Sequence, residues 1–163
     1  MAERPATPRV LCISQVRMES TRLPGKVLMD LGGKPVVQRV YERLSRAARV
    51  DEVVLALPDT AENDELASAC EAFGAGVYRG SLDDVLSRYA CAARAFEADV
   101  VVRVTSDCPF ADPALVDAVV ERLLGEAALD YASNNLVRTY PLGFDAEAFW
   151  ADALFAADTD ARE

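Results

Sequence analysis

The chain has 163 residues, of which 52% are hydrophobic and 27% charged, a size and balance that suit one domain around a single packed core and exclude a disordered chain. Seventeen Lys and Arg against 27 Asp and Glu leave a net charge of −10. That argues against nucleic acid or an anionic membrane as the main partner, and leaves room for a small anionic ligand where positive charge is gathered locally. There is no histidine, so imidazole-based acid/base, triad and zinc chemistry recedes, and carboxylates holding Mg²⁺ beside phosphates come forward. No apolar run approaches the roughly 20 residues of a membrane span. The opening MAERPATPR lacks the apolar stretch of a secretion signal, so the expected compartment is the cytoplasm. Cys12, Cys70, Cys91 and Cys108 have no CxxC spacing and predict free, core-type thiols.

In chain order, residues 9–14 (RVLCIS) form a short apolar run that ends in a polar, glycine-containing segment, as a buried parallel strand does. Within KPVVQRVYERLSRA, Val36, Val37, Val40, Tyr41 and Leu44 recur at helical spacing, with Arg39, Glu42 and Arg43 facing away. The alternation continues with a strand at 52–57, a helix at 61–73, a strand at 76–79, a helix at 82–96, a strand at 99–105 and a helix at 113–125. Segment 130–163 adds a strand-like DYASN, a turn at 141–143 and an alanine-rich amphipathic end. Strand, helix, strand at these spacings means right-handed crossovers and an α/β fold, a three-layer sandwich with a mostly parallel sheet covered on both faces. In such sheets ligands sit beyond the carboxyl ends of the strands, which directs attention to the segments after Ser14 and Thr105.

The first of these, SQVRMESTRLPGK, sets Arg17, Arg22 and Lys26 around Ser20, Thr21 and Gly25. Guanidinium and ammonium groups beside exposed backbone N–H groups have the composition of a phosphate cradle, and a solvated basic loop is the other reading. Neither GxxxxGK[ST] nor GxGxxG occurs in it.

STRLPGKVL followed by LGGKPVVQRV resembles the N-terminal signature of the cytidylyltransferases that activate acidic sugars, the acylneuraminate and ketodeoxyoctonate kind. Within that family it resembles the spore coat polysaccharide biosynthesis protein F-like members. The similarity continues through RGSLDDVLSRY (79–89), VVRVTSDCPFADP (101–113), DYASNN and TYPLGFDAEAF (139–149). The resemblance implies a nucleotide-diphospho-sugar transferase-like fold, Mg²⁺ as cofactor, and transfer of CMP from CTP with release of pyrophosphate. It makes Arg17 and Lys26 the phosphate-binding cations, with Ser20 and Thr21 lining the loop and Arg22 assisting. It places Arg79 and Ser81 near the base. Two positions depart from the pattern: Glu19 stands where a small residue is usual, and Ser106 replaces the glycine before the metal aspartate.

Asp107 follows the apolar strand VVVRVT and precedes Cys108 and Pro109. By position alone it either caps a turn or faces the phosphates from the strand's carboxyl end, and the resemblance makes it a metal ligand. Asp112, before Pro113, is read as a helix cap. Asp145 and Glu147 alternate in GFDAEAF, so on a strand they point to one side, which an exposed edge or a bound cation would explain. Asp145 is the expected second metal contact. Ser81, Asp83 and Asp84 suit a helix start, with Ser81 as N-cap.

Relatives of this kind usually continue beyond this length into a portion that contributes acceptor and dimer contacts. The resemblance therefore implies as partners CTP and a small acidic acceptor, an organophosphonate as in phosphonate antibiotic biosynthesis or an acidic sugar, with a homodimer or a fusion to another pathway enzyme as further partners. The expected mechanism is in-line attack by the acceptor's own anionic oxygen on the α-phosphorus. A non-catalytic nucleotide-binding module and a nucleotidyltransferase using another NTP stay open beside this reading.

Overall fold

Parallel strands covered on both faces need apolar residues at nearly every position, and the three central runs VLCISQ, EVVLALP and VVVRVT supply them. In the computed structural model, which describes residues 4–20 and 22–161, these are β1 (Val10–Gln15), β2 (Glu52–Pro58) and β4 (Val100–Thr105). With β3 (Gly76–Gly80), β5 (Tyr131–Ser133) and β6 (Glu147–Trp150) they form one six-stranded sheet in the order β3-β2-β1-β4-β6-β5. The first four strands are parallel, β6 runs antiparallel to β4, and β5 antiparallel to β6. The expected α/β sandwich with a mostly parallel sheet is what the chain forms.

Residues alternate between the two faces. Val10, Cys12, Val53, Val100, Val102 and Val104 pack with α1 (Val36–Leu44) and α4 (Pro113–Leu124), and Leu55 and Leu57 join α2 (Asp64–Ala72) on the same side. Leu11, Ile13, Val54, Ala56 and Val101 pack instead with α3 (Val85–Ala95) and α5 (Ala151–Asp160). No helix among the described residues is long and apolar enough to cross a membrane.

Two helices, α2 and α3, begin later than the periodicity suggests, and a side-chain cap explains one case. The carboxylate of Asp84, not Ser81, caps α3, accepting from the Ser87 N–H at 2.8 Å. Ser81 instead closes the preceding turn, its Oγ accepting from the Asp84 N–H at 3.0 Å. The expected helix at 61–73 opens with a separate 3₁₀ turn, Ala61–Asn63, before α2. Asp112 caps α4 as expected, accepting from the Ala114 N–H at 2.9 Å with Pro113 in the first turn.

Leu55 is fully buried between the sheet and α2, whereas Leu142 is 79% exposed. Leu55→Ala should therefore lower unfolding stability by about 2–5 kcal/mol in urea denaturation, while Leu142→Ala should stay within about 0.5 kcal/mol of wild type. Equal effects at the two sites would contradict this core.

Candidate active site

Register decides which loops meet. β1 and β4 are adjacent and parallel with Gln15 opposite Thr105, so the segments after both strands leave the sheet side by side at its carboxyl edge. The Ser106 N–H donates to the Gln15 carbonyl at 3.2 Å, and the buried hydroxyls of Ser14 and Ser106 hydrogen-bond at 2.6 Å. The serine at 106, where the family pattern has glycine, thus has a partner that fixes the two strand ends together.

After β4, a turn closed by the Cys108 N–H on the Thr105 carbonyl at 3.2 Å carries Asp107 outward. After β1, the chain turns back at Gly25, whose φ of +69° is a left-handed conformation that glycine adopts without a Cβ clash. The Gly25 N–H donates to the Met18 carbonyl at 3.1 Å. This turn starts the 3₁₀ segment Lys26–Leu28, anchored by buried Val27. Lys26 Nζ then lies 2.5 Å from Asp107 Oδ2.

Asp107 has a side chain 42% exposed. Partial burial works to raise its pKa, but hydrogen bonds from the Lys26 ammonium and the Thr105 hydroxyl outweigh it, and the net direction is downward. The carboxyl therefore stays ionised through neutral pH. The stability gained from its pairing is present above the ordinary carboxylate pKa and lost only as pH falls through its lowered one.

Arg17, Glu19, Ser20, Arg22, Lys26, Arg88, Gln15, Ser106 and Asp107 line one cavity of about 320 Å³. Arg17 and Arg22 are exposed and enter no ion pair among the described residues. The loop is held from the side by Asn63, which is completely buried. Its Oδ1 accepts from the Met18 N–H at 3.0 Å, and its Nδ2 donates to Glu19 Oε1 at 2.9 Å. Glu19, the residue at odds with a phosphate loop, thus has one oxygen drawn toward Asn63 and the Thr60 hydroxyl.

Of the residues singled out from sequence, Arg17, Ser20, Arg22, Lys26 and Asp107 converge here, and Thr21 lies outside the described residues. Arg79 and Ser81 are not among the lining residues. Arg79 is engaged elsewhere, pairing with Asp59 at 3.1 Å and Asp64 at 2.7 Å and donating to the Thr60 carbonyl at 2.9 Å. It secures the segment that carries Asn63 and so supports the loop indirectly.

Asp145 precedes β6 instead of lying on it. Both its oxygens accept from Arg138, at 3.0 and 3.3 Å, and Glu147 pairs with Arg103 at 2.7 Å. An arginine answers the charge of each carboxylate. Asp145 still lies close enough to help raise the pKa of the Cys108 thiol, after the larger effect of burial. Arg88, Gln15 and Glu19 are cavity residues that sequence reasoning missed or set aside. Arg88 sits inside a helical pattern, where only the tertiary packing of α3 reveals which way it faces.

No three Asp, Glu, Cys or His side chains among the described residues are grouped as a metal cage. An ionised, reachable carboxylate in a cavity lined by cations nevertheless fits Mg²⁺, which commonly takes one or two protein carboxylates and fills its shell with phosphate oxygens and water.

The sheet order and the cationic loop at the carboxyl ends of β1 and β4 define a nucleotidyltransferase fold of the nucleotide-sugar transferase type. Residues 11–155 match the cytidylyltransferase family model, and the chain belongs to that family. It is 35% identical over 149 residues to spore coat polysaccharide biosynthesis protein SpsF of Bacillus subtilis, covering 89% of this chain and 60% of that protein. It is 39% identical over 122 residues to 3-deoxy-manno-octulosonate cytidylyltransferase of Geobacter sulfurreducens, covering 74% of this chain and 47% of that enzyme. The structure of a cytidylyltransferase from Leptospira borgpetersenii superposes with a TM-score of 0.88 at 31% identity, over 93% of this chain and 64% of that one. The chain thus spans about half to two thirds of these relatives.

Asn63→Ala leaves the Met18 N–H and the Glu19 carboxylate without their anchor. It should cost about 1–3 kcal/mol in urea denaturation and weaken binding of inorganic tripolyphosphate, because Arg17 and Ser20 flank the anchored stretch. Wild-type values for both would contradict the anchoring role.

Proposed function

We propose that this chain is the nucleotide-binding unit of a Mg²⁺-dependent cytidylyltransferase that transfers CMP from CTP to a small acidic acceptor and releases pyrophosphate. The observation that carries the reading is the convergence of Arg17, Arg22 and Lys26 with Asp107 in one cavity at the carboxyl edge of the sheet, in a chain of the cytidylyltransferase family.

In this reading Arg17, Arg22 and Lys26 receive the triphosphate, neutralising its charge and holding it in line with the acceptor. Lys26, tied to the Asp107 carboxylate, has a flexible stem on which its ammonium can turn to a phosphate oxygen while staying beside that carboxylate. Asp107 would hold Mg²⁺, which supplies charge neutralisation on the triphosphate and on the departing pyrophosphate. If Asp145 contributes, Arg138 must first release it.

The acceptor's own ionised oxygen attacks the α-phosphorus, and the P–O bond to pyrophosphate breaks. No proton has to be removed by a histidine, in keeping with a chain that has none. This favours acceptors that are already anionic, a phosphonate before a sugar hydroxyl.

Pyrophosphate release should be measured with each of the four NTPs, Mg²⁺, and a panel of sialic-type acids, ketodeoxyoctonate and small phosphonates. CTP should be the productive nucleotide, and the rate on a phosphonate should be nearly flat between about pH 7 and 9, above its second ionisation. Turnover with another NTP in preference to CTP would replace the nucleotide assignment. A steep rise with pH on a phosphonate would contradict attack by the pre-ionised oxygen, and no release with any pair would leave a binding module.

A further inference from the structure

Arg88 stands in the first turn of α3, is only 3% exposed, and lines the same cavity as Arg17, Arg22 and Lys26. A guanidinium taken out of water is ordinarily met by a carboxylate, since an unpaired buried charge is costly. Among the described residues Arg88 enters no ion pair. Its Nη1 donates to the carbonyl of Ser81 and, at 3.5 Å, to that of Leu82. Its Nε is buried without an acceptor among the described residues. Two peptide carbonyls hold the group in place, but they are dipoles and leave its unit charge standing.

The surroundings add to the deficit. Burial pulls the pKa of Arg88 below the ordinary arginine value, the Arg17 guanidinium pulls the same way, and Tyr89, Asp84 and Glu19 offset part of this. Of these, Glu19 lines the cavity together with Arg88. While Glu19 Oε1 is tied to Asn63, its Oε2 is buried with no hydrogen-bond partner among the described residues. The cavity wall therefore carries a cation lacking an anion and, on the same wall, a carboxylate oxygen lacking a donor.

We infer that Arg88 is a buried phosphate receptor in the cradle, taking an oxygen of the nucleotide's polyphosphate, and that Glu19 is the protein's own partial counter-charge, which the polyphosphate supplants. The inference rests on reading this cavity as a polyphosphate site. Arginine suits the task because its planar fork can keep the Ser81 and Leu82 carbonyls on one nitrogen and offer other N–H groups to a phosphate. Anion binding would then join the start of α3 to the loop after β1, two elements far apart along the chain and brought together only by the fold.

The test is calorimetric titration of inorganic tripolyphosphate into wild type, Arg88→Met, Arg88→Lys and Glu19→Gln, with melting temperatures measured without ligand. Wild type should bind, and Arg88→Met should bind at least about 10-fold more weakly, with a ligand-free melting temperature equal to or above wild type because an unpaired buried charge is gone. Arg88→Lys should recover part of the affinity, and Glu19→Gln should bind more tightly than wild type. If Arg88 is only a staple for residues 81–82, Arg88→Met will instead melt lower and bind as wild type does, which overturns the inference alone. Failure of wild type to bind tripolyphosphate overturns the reading of the cavity and this inference with it. Should Arg88→Met not fold, unchanged affinity in both Arg88→Lys and Glu19→Gln overturns the inference equally.

Discussion

Arg17, Arg22, Lys26 and Arg88 are held around one small cavity in a chain whose net charge is −10, and like charges at that proximity repel one another in any medium. Everything else at the carboxyl edge of the sheet follows from how the fold keeps them there. The parallel pairing of β1 with β4, completed by the Ser14–Ser106 hydroxyl contact, sets two loops side by side. Asn63 anchors one loop from within the core, and Asp107 answers the charge of Lys26. Positive charge confined in this way is a standing invitation to a polyanion, and under the proposed function it is how an acidic chain would receive an acidic ligand.

The same scaffold accounts for residues that looked out of place. Glu19 is tolerable in a cationic loop because Asn63 and Thr60 take one of its oxygens, and its negative charge is useful beside Arg88. Asp59 and Asp64 hold Arg79, Arg138 holds Asp145, and Arg103 holds Glu147, so much of the charge that surrounds the site is internally balanced. Within the ring of charges, Arg17 and Arg22 enter no ion pair among the described residues and Arg88 is left with an unmet charge.

What the sequence disclosed was what local pattern controls. Apolar runs at 9–14, 52–57 and 99–105 marked the central strands because burial on both faces demands such runs, and the loop after Ser14 displayed its cations within a few residues of one another. Asp107 was legible from its place after VVVRVT, although turn cap and metal ligand could be separated only by resemblance. Arg88 was hidden because in LSRYACAARA it has the look of a polar position on an amphipathic helix, and its burial depends on where α3 packs. The ion pairs of Arg79 were hidden for the complementary reason: its partners are brought to it by the pairing of β2 with β3 and the turn that follows β2, which no spacing along the chain announces. Ser81 lost the cap of α3 to Asp84 three residues on, a competition between two good capping residues that propensity does not rank.

The central claim is that Asp107 anchors the cation which holds the triphosphate against the cradle, and Asp107→Asn tests it most directly. Asparagine keeps the size and hydrogen-bonding shape but removes the charge, and the Lys26 pair it breaks is partly exposed, so the ligand-free melting temperature should stay close to wild type. The decisive measurement is the rise in melting temperature with CTP and Mg²⁺, which in wild type should grow with ligand concentration. In Asp107→Asn that rise should vanish and pyrophosphate release should fall by orders of magnitude. A folded Asp107→Asn protein that is still stabilised by CTP and Mg²⁺ and releases pyrophosphate at near the wild-type rate would contradict the account.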